Sequence, residues 1–423
     1  MLFTEKNIVD KDIHSLLLGA FIRYERKKQN LSLNFLANEV GITKSYLGDI
    51  EHGKKVPAKY TLQKIMSTLD IEFNDSILYR QKIIQKLIES FEAYAYANRE
   101  EIINVYNSLI QEKSLYSCAF ITFYIIQLLH TLYIENDLEK SFSIIDMINQ
   151  YQYLLDKQEL SIYYILIGLY YYKKNDFDVS KSYYLLSLEN HFNNNIIIGM
   201  TYYLLSLDEQ YLNNLIDSYM YCEKSIDYFK NTYNTIRLLE LDIFKANCYS
   251  RNKKYDKAIF LYEYVLKYAH IHHLSRIEKM AYDNLAWTYL KVKDYHEVIK
   301  YTECSIKSDN DYWFKEVYTY IPYALYKLNK IDECLNEINK NLIILENNYH
   351  KYFLKALQEK IKNNDNLYVK YLNTYCRYLI QFSSDNEMLK CIYEELLIYY
   401  KLKNDYENQI YMQEKIIELI NES

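Results

Sequence analysis

The chain has 423 residues, a mass of 51.3 kDa and a formal net charge of −6, and half of its residues are apolar. That apolar content excludes a disordered chain, and the length exceeds one ordinary core, so at least two domains are expected. Six glycines and two prolines are too few to turn a β-rich chain of this size, so the composition predicts an all-α fold.

The N-terminal stretch MLFTEKNIVDKD carries no apolar run of signal-peptide length. Leu18, Phe21 and Ile22 open the core face of a first helix that runs to Gln29. Ser32 caps a second, with Leu33, Leu36, Ala37 and Val40 spaced i, i+3, i+4, i+7. Gly41 ends it, and Thr43 caps a third helix with Leu47 and Ile50 inward and Lys44, Ser45, Gly48 and Asp49 outward. Gly53 and Pro57 turn the chain into a fourth stripe, Leu62, Ile65, Met66 and Leu69. Two short helices joined by a glycine turn, the second with a polar outer face, fit a DNA major groove. Residues 16–72 carry nine Lys and Arg against six Asp and Glu, a balance of +3, which leaves −9 for the rest. A basic head on an acidic body suits a head that meets phosphates.

The run from Leu18 to Phe73 resembles the Xre/Cro-type helix-turn-helix, on the pieces IR at 22–23, LS at 31–32, LA at 36–37, IEHG at 50–53 and Pro57. The resemblance implies that Thr43, Lys44, Ser45, Tyr46 and Asp49 lie on the DNA face. It also implies that Arg26 and Glu51 form a structural ion pair, and that Lys54, Lys55 and Lys59 approach phosphates, adding affinity without sequence information. Leu33 stands where that family usually has Gln. Asp49 either accepts from a cytosine amino group or repels phosphate.

Beyond the head, Ser114–Ile134 is uncharged, but Ser117, Thr122, Gln127, His130 and Thr131 interrupt it, which favours a buried helix over a membrane span. ANCYSRNKKYDKAIFLYEYVL (246–266) aligns without gaps on AWTYLKVKDYHEVIKYTECSI (286–306), and GLYYYKKNDFDVSKSYYLLSL (168–188) shares the register. One slot recurs at Ile102, Ser141, Ser180, Ser218, Ala258, Val298, Cys334, Lys370 and Gln409, giving about nine helix pairs. A small residue, a tyrosine three later and another small residue twelve later resemble tetratricopeptide repeats. That resemblance implies a right-handed α-solenoid whose first helices line a concave surface for an extended peptide. Its register puts Asn247, Ser250, Arg251, Asp283, Asn284, Trp287, Lys291, Thr319, Tyr323, Tyr326 and Lys327 on that surface, and all of these but Ser250, Thr319 and Lys327 are expected to bind the peptide. Asn can pair with a peptide backbone, Arg and Lys with a carboxylate, and Trp offers an apolar wall. Each of these residues reads equally well as part of a solvated helix face.

Seven cysteines, odd in number and without a CxxC pair, sit in helical patterns as small apolar residues and point to a reducing cytoplasm. No phosphate loop, HExxH or nucleophile elbow occurs, so no catalytic residue, cofactor or metal is expected. The cluster His270, His272 and His273 reads as an inter-helix loop.

The expected organisation is a DNA-binding domain over 13–73 and a repeat domain over 74–423 for peptide binding and dimerisation. A Xre-type head followed by such a body resembles the RRNPP family of Gram-positive quorum-sensing regulators. This resemblance implies a cytoplasmic, homodimeric transcription regulator that binds a palindromic double-stranded operator and a short signalling peptide, with no membrane partner. The alternative is a Rap-like body that acts on a response regulator or another protein instead of DNA.

Overall fold

The computed structural model describes residues 3–71, 77–111, 119–190, 194–212, 214–308, 315–382 and 386–421. The expected end of the head at Phe73, and Cys118, lie outside them. The described residues form helices and no β-strand, in keeping with the scarcity of turn residues. The described cysteines are free thiols. Among the described residues no helix is long and apolar enough to cross a membrane.

The head consists of α1 (Phe3–Lys28), α2 (Leu33–Val40), α3 (Lys44–Glu51) and α4 (Lys59–Thr68). Both expected caps form: Ser32 Oγ accepts from the Phe35 amide at 3.0 Å, and Thr43 Oγ1 accepts from the Tyr46 amide at 3.2 Å. Gly41 takes φ +78°, the left-handed conformation that ends α2 and that a side chain would strain. Gly19 serves approach instead. A Cβ there would stand 2.2 Å from the Ile50 carbonyl oxygen, so α1 lies against the end of α3 at backbone contact.

Nine helix pairs follow among the described residues. They are α5 and α6 (Ile77–Ala95, Arg99–Gln111), α7 and α8 (Phe120–His130, Leu138–Asn149), α9 and α10 (Lys157–Lys173, Phe177–Asn190), α11 and α12 (Asn195–Tyr211, Leu215–Asn231), α13 and α14 (Thr235–Arg251, Tyr255–Ile271), α15 and α16 (Ser275–Val292, Tyr295–Ser308), α17 and α18 (Tyr320–Lys327, Ile331–Ile344), α19 and α20 (Lys351–Ile361, Asp365–Phe382), and α21 and α22 (Asn386–Leu402, Tyr406–Asn421). The chain divides into two compact units, Met1–Asp208 with Met220–Asn234, and Glu209–Tyr219 with Thr235–Ser423.

With so little glycine, the turns inside the pairs use other residues in the left-handed region: Ala97, Asn136, Asn175, Lys253, Lys293, Asn329, Asn363 and Asn404, with φ between 55° and 65°. Asparagine tolerates that conformation better than most side chains. Five residues after each of these lies the repeat slot, from Ile102 to Gln409. In α20 the spacing corrects the sequence reading, because Asn363 puts the slot at Tyr368, which is buried, while Lys370 is exposed. A large side chain fills the slot there, so the small-residue register does not mark it.

Within a pair, residues twelve apart face each other. Ser180 Oγ donates to the Gly168 carbonyl at 2.9 Å, and Cys334 Sγ to the Pro322 carbonyl at 3.2 Å. Tyr171 stacks on Tyr183 at 5.7 Å and 6°, and Tyr289 on Tyr301 at 5.4 Å and 9°. Small residues bring the backbones together, and tyrosine pairs fill the wedge beside them. In the second unit one apolar core joins residues between Leu239 and Leu419, and a second gathers Ile321, Leu325, Cys334, Ile338, Leu345, Leu354 and Leu357.

In the first unit the head is seated on the repeats. Tyr24 of α1 stacks on Phe120 at 5.4 Å, its hydroxyl bonds that of Tyr124, and Phe21 tilts against Phe120 at 5.7 Å. Arg23 lies over the Tyr151 ring at 5.2 Å and donates to the Tyr153 hydroxyl at 3.2 Å. Phe21, Phe120 and Tyr151 are buried.

A Cβ at Gly168 would meet the ring of the fully buried Tyr184 at 2.3 Å. Gly168→Ala is therefore expected to destabilise the protein by about 1–3 kcal/mol, since the ring has no space to retreat into. Urea unfolding checks this, and an unchanged midpoint would show that α9 and α10 do not depend on the close approach.

Candidate DNA-facing helix and ligand strip

α3 is held by its inner residues. Leu47 and Ile50 are sealed in the head core, and Glu51 beside them is 3% exposed. Arg26 meets that carboxylate with both prongs, Nε donating to Oε1 at 2.6 Å and Nη2 to Oε2 at 2.9 Å, while Nη1 donates to the Leu31 carbonyl at 2.7 Å. The bond to Glu51 raises the Arg26 guanidinium further above its ordinary range. Thus α1, α3 and the turn before α2 share one fastening. It leaves Thr43, Lys44 and Ser45 exposed along one side of α3, with Tyr46 and Asp49 half-buried beside them.

Lys54, Lys55 and Lys59 are exposed at and after the Gly53 turn. Lys55 also reaches back, its ammonium 3.1 Å from Asp49 and over the Tyr46 ring at 5.6 Å. Asp49 is therefore partly neutralised, which reduces the repulsion that an acidic residue on a DNA face would otherwise exert.

The eight positions expected to bind the peptide fall into two sets. Trp287, Lys291 and Tyr323 all turn towards α21. Trp287 Nε1 donates to Glu387 Oε2 at 3.3 Å; Lys291 Nζ lies 3.4 Å from the same carboxylate, 3.2 Å from Cys391 Sγ and 4.4 Å over the Trp287 ring. Burial works against the charge on Lys291, but Cys391 and Glu387 outweigh it and the ammonium ends above its ordinary range. Tyr323 donates to Glu395 at 2.7 Å, and Tyr326 lines a cleft beside it. Arg251 is exposed on the last turn of α13.

The remaining three are engaged within their own pair or helix. Asn247 accepts from the Tyr262 hydroxyl of α14, Asp283 from Ser305 of α16, and Asn284 donates to the Met280 carbonyl at 2.7 Å. Burial pushes the Asp283 carboxyl up to about 6, against the pull of Ser305 and Lys279. Glu387, Glu395 and Lys360 on α21 and α19 complete the strip without a local sequence signal, because their contacts with Trp287, with Lys327 and with each other span 35 to 100 residues.

His270, at the end of α14, meets Glu278 at 2.9 Å. Among the described residues no group of three or more His, Cys, Asp or Glu is placed to hold a metal ion.

Losing Arg26 would leave Glu51 buried and unpaired, at a cost of about 3–5 kcal/mol. In the full chain, Arg26→Ala is expected to lower amide protection across α2, α3 and α4 by roughly a hundredfold or more. Hydrogen exchange measures this directly, and unaltered protection in the head would refute the fastening.

Residues 22–75 match the helix-turn-helix family model. Over 57 residues the chain is 35% identical to the ImmF control region 10 kDa protein of Bacillus phage phi105, and over 60 residues 40% identical to the HTH-type transcriptional regulator SlrR of Bacillus subtilis (strain 168). Each alignment covers 14% of this chain, and the chain spans 63% and 40% of the length of those two relatives. The fold of the chain is that of NprR in complex with its cognate peptide NprX (TM-score 0.61, 16% identity, 80% of this chain and 99% of that one). It is equally that of a Rap protein complexed with Competence and Sporulation Factor (TM-score 0.65, 12% identity, 81% and 98%). The chain thus carries a helix-turn-helix domain of the Xre type, and its helical repeats share the fold of NprR and of the Rap protein.

Proposed function

We propose that the protein is a peptide-responsive transcription regulator that binds a palindromic operator as a homodimer. The observation that carries this reading is the exposed polar face of α3, built and capped as a groove-reading helix, on a body that shares its fold with a peptide-bound quorum sensor. Residues 13–73 act as the DNA-binding domain and 74–423 as the sensing and pairing domain, working in the cytoplasm where both DNA and thiols suit it.

Thr43, Lys44, Ser45, Tyr46 and Asp49 read base edges, with Lys55 leaving Asp49 for a phosphate when a cytosine amino group takes its place. Lys54 and Lys59 add phosphate contacts. The peptide lies along Trp287, Lys291, Tyr323 and Tyr326, with Arg251 and Asn284 beside them. Asn247 and Asp283 join only if Tyr262 and Ser305 release them.

Pairing is supported by α22, where Tyr406, Ile410 and Ile417 form an apolar stripe that is more than half exposed. The Rap match favours a second reading, in which the body acts on a protein partner. The intact α3 face favours DNA.

On the promoter fragment upstream of its own gene, Lys44→Ala or Ser45→Ala is expected to reduce discrimination between operator and random DNA by about 1–3 kcal/mol. Lys54→Ala should weaken both alike and lower the salt slope by about 1. Titrations at several salt concentrations distinguish the two patterns, and equal affinity for operator and random DNA at low salt would refute the regulator reading. Peptides encoded by small secreted reading frames beside the gene provide the second arm. By calorimetry, Asn284→Ala should cost about 1–3 kcal/mol in peptide affinity while DNA binding without peptide is unchanged; equal peptide affinity would move the site elsewhere.

A further inference from the structure

Within the second unit a narrow cleft of about 20 Å³ opens among α17, α19, α20 and α21. Phe353, Leu357 and Ile392 give it an apolar floor, and Lys360 and Glu395 stand at its polar side. Glu395 is the focus of three donors. Its Oε1 accepts from the Tyr323 hydroxyl at 2.7 Å and Lys327 Nζ at 2.9 Å, and its Oε2 accepts from Lys360 Nζ at 3.2 Å. Lys360 also donates to the Tyr368 hydroxyl at 3.2 Å. Burial alone would push the Glu395 carboxyl up, but Lys360, Tyr323 and Lys327 outweigh it and hold it at about 2.

Two features distinguish this cluster from the ion pairs that hold the fold. Arg26 with Glu51, and Arg237 with Glu240, are arginine pairs with side chains exposed by 11% and 3%, and by 4% and 2%. Glu395, Lys327 and Lys360 keep 18%, 28% and 28% exposure at the open side of a cleft. Lysine is a single mobile point charge and not a planar fork, so it exchanges partners readily. The cluster also sets two ammonium groups against one carboxylate, which leaves a net positive charge beside an apolar floor. A site of that kind suits an anionic group attached to an apolar chain.

We propose that Glu395 is an internal stand-in for a ligand carboxylate. An extended peptide lays an apolar side chain across the mouth of the cleft, and its carboxylate displaces Glu395 from Lys327 and Lys360. The inference rests on the peptide-sensing reading and adds the chemistry that the site selects. One carboxylate replaces another, so neither ammonium is ever left without a counter-charge, and the exchange avoids the desolvation cost of opening an ion pair. Displacement also has a mechanical result: Glu395 is what ties α21 to Lys327 of α17 and Lys360 of α19. Eight residues back, about 12 Å along α21, Glu387 makes a second tie of the same kind to Lys291 of α15. A peptide carboxylate thus trades an internal fastening of α21 for an external one, and the peptide's differential affinity for the unfastened state supplies the shift.

The probes are randomised peptide pools of about seven residues, offered to the full-length protein in solution and identified by affinity selection with mass spectrometry. One pool ends in a free acid and one in an amide, and each is made with and without Asp and Glu. Wild type is expected to retain carboxylate-bearing peptides over wholly neutral ones. Winners confined to the acid-ended pool identify a C-terminal carboxylate as the group bound; winners in the amide pool that carry Asp or Glu identify a side chain. Glu395→Gln, which removes the internal competitor, is expected to tighten those winners about tenfold and leave neutral peptides unchanged. Lys360→Met should abolish the preference. Peptides captured without regard to a carboxylate would overturn this inference and leave peptide sensing standing, and the wild-type pools decide that even if a variant fails to fold. Capture of no peptide from any pool would overturn both.

Discussion

Paired helices in this protein bury their apolar stripes where residues twelve apart let the backbones meet. Ser180 against Gly168 and Cys334 against Pro322 are hydroxyl and thiol contacts to a carbonyl, a distance that no larger side chain permits. The stack depends on that repeated approach, since a helix pair on its own has no second face to bury. Where the slot residue becomes large, as at Tyr368, the ring is still buried and the turn residue Asn363 still stands five positions before it. The geometry of the pair is therefore held by the left-handed turn as much as by the small residue.

The same economy appears at the head. α1 serves two cores at once: Arg26 and Gly19 bind it to α3, while Phe21, Arg23 and Tyr24 seat it on Phe120, Tyr124, Tyr151 and Tyr153 of the first repeats. Through α1, α3 is thereby tied to α7 and to the stretch after α8 in the first unit. Displacing α7 would be felt by α1 without any intervening linker.

Much of the head was legible from sequence, because its signals are local: a cap at Ser32, a glycine stop at Gly41, a cap at Thr43, and inward residues at helical spacing. The pairs between Ser141 and Cys334 were legible because small residues recur there at a near-constant interval, while the slots at Ile102, Tyr368 and Gln409 carry no such mark. The pairing of Lys291 with Glu387 and of Lys327 with Glu395 was not legible, since it depends on how successive pairs turn towards one another, and that turn is a sum of small packing rotations with no sequence pattern of its own. Asp283 shows the same gap on a smaller scale. Its position in the repeat placed it with the ligand strip, yet a serine on the neighbouring helix turns its carboxylate into the pair.

Whether this head reads DNA can be measured without knowing any ligand. Full-length protein is used to select from a randomised duplex pool at low salt over several rounds, and the retained sequences are read. Enrichment of one motif with two inverted half-sites about one helical turn apart is expected from a two-fold pair of such heads. Retention proportional to input, with no motif enriched, would contradict the assignment of α3 as a reading helix.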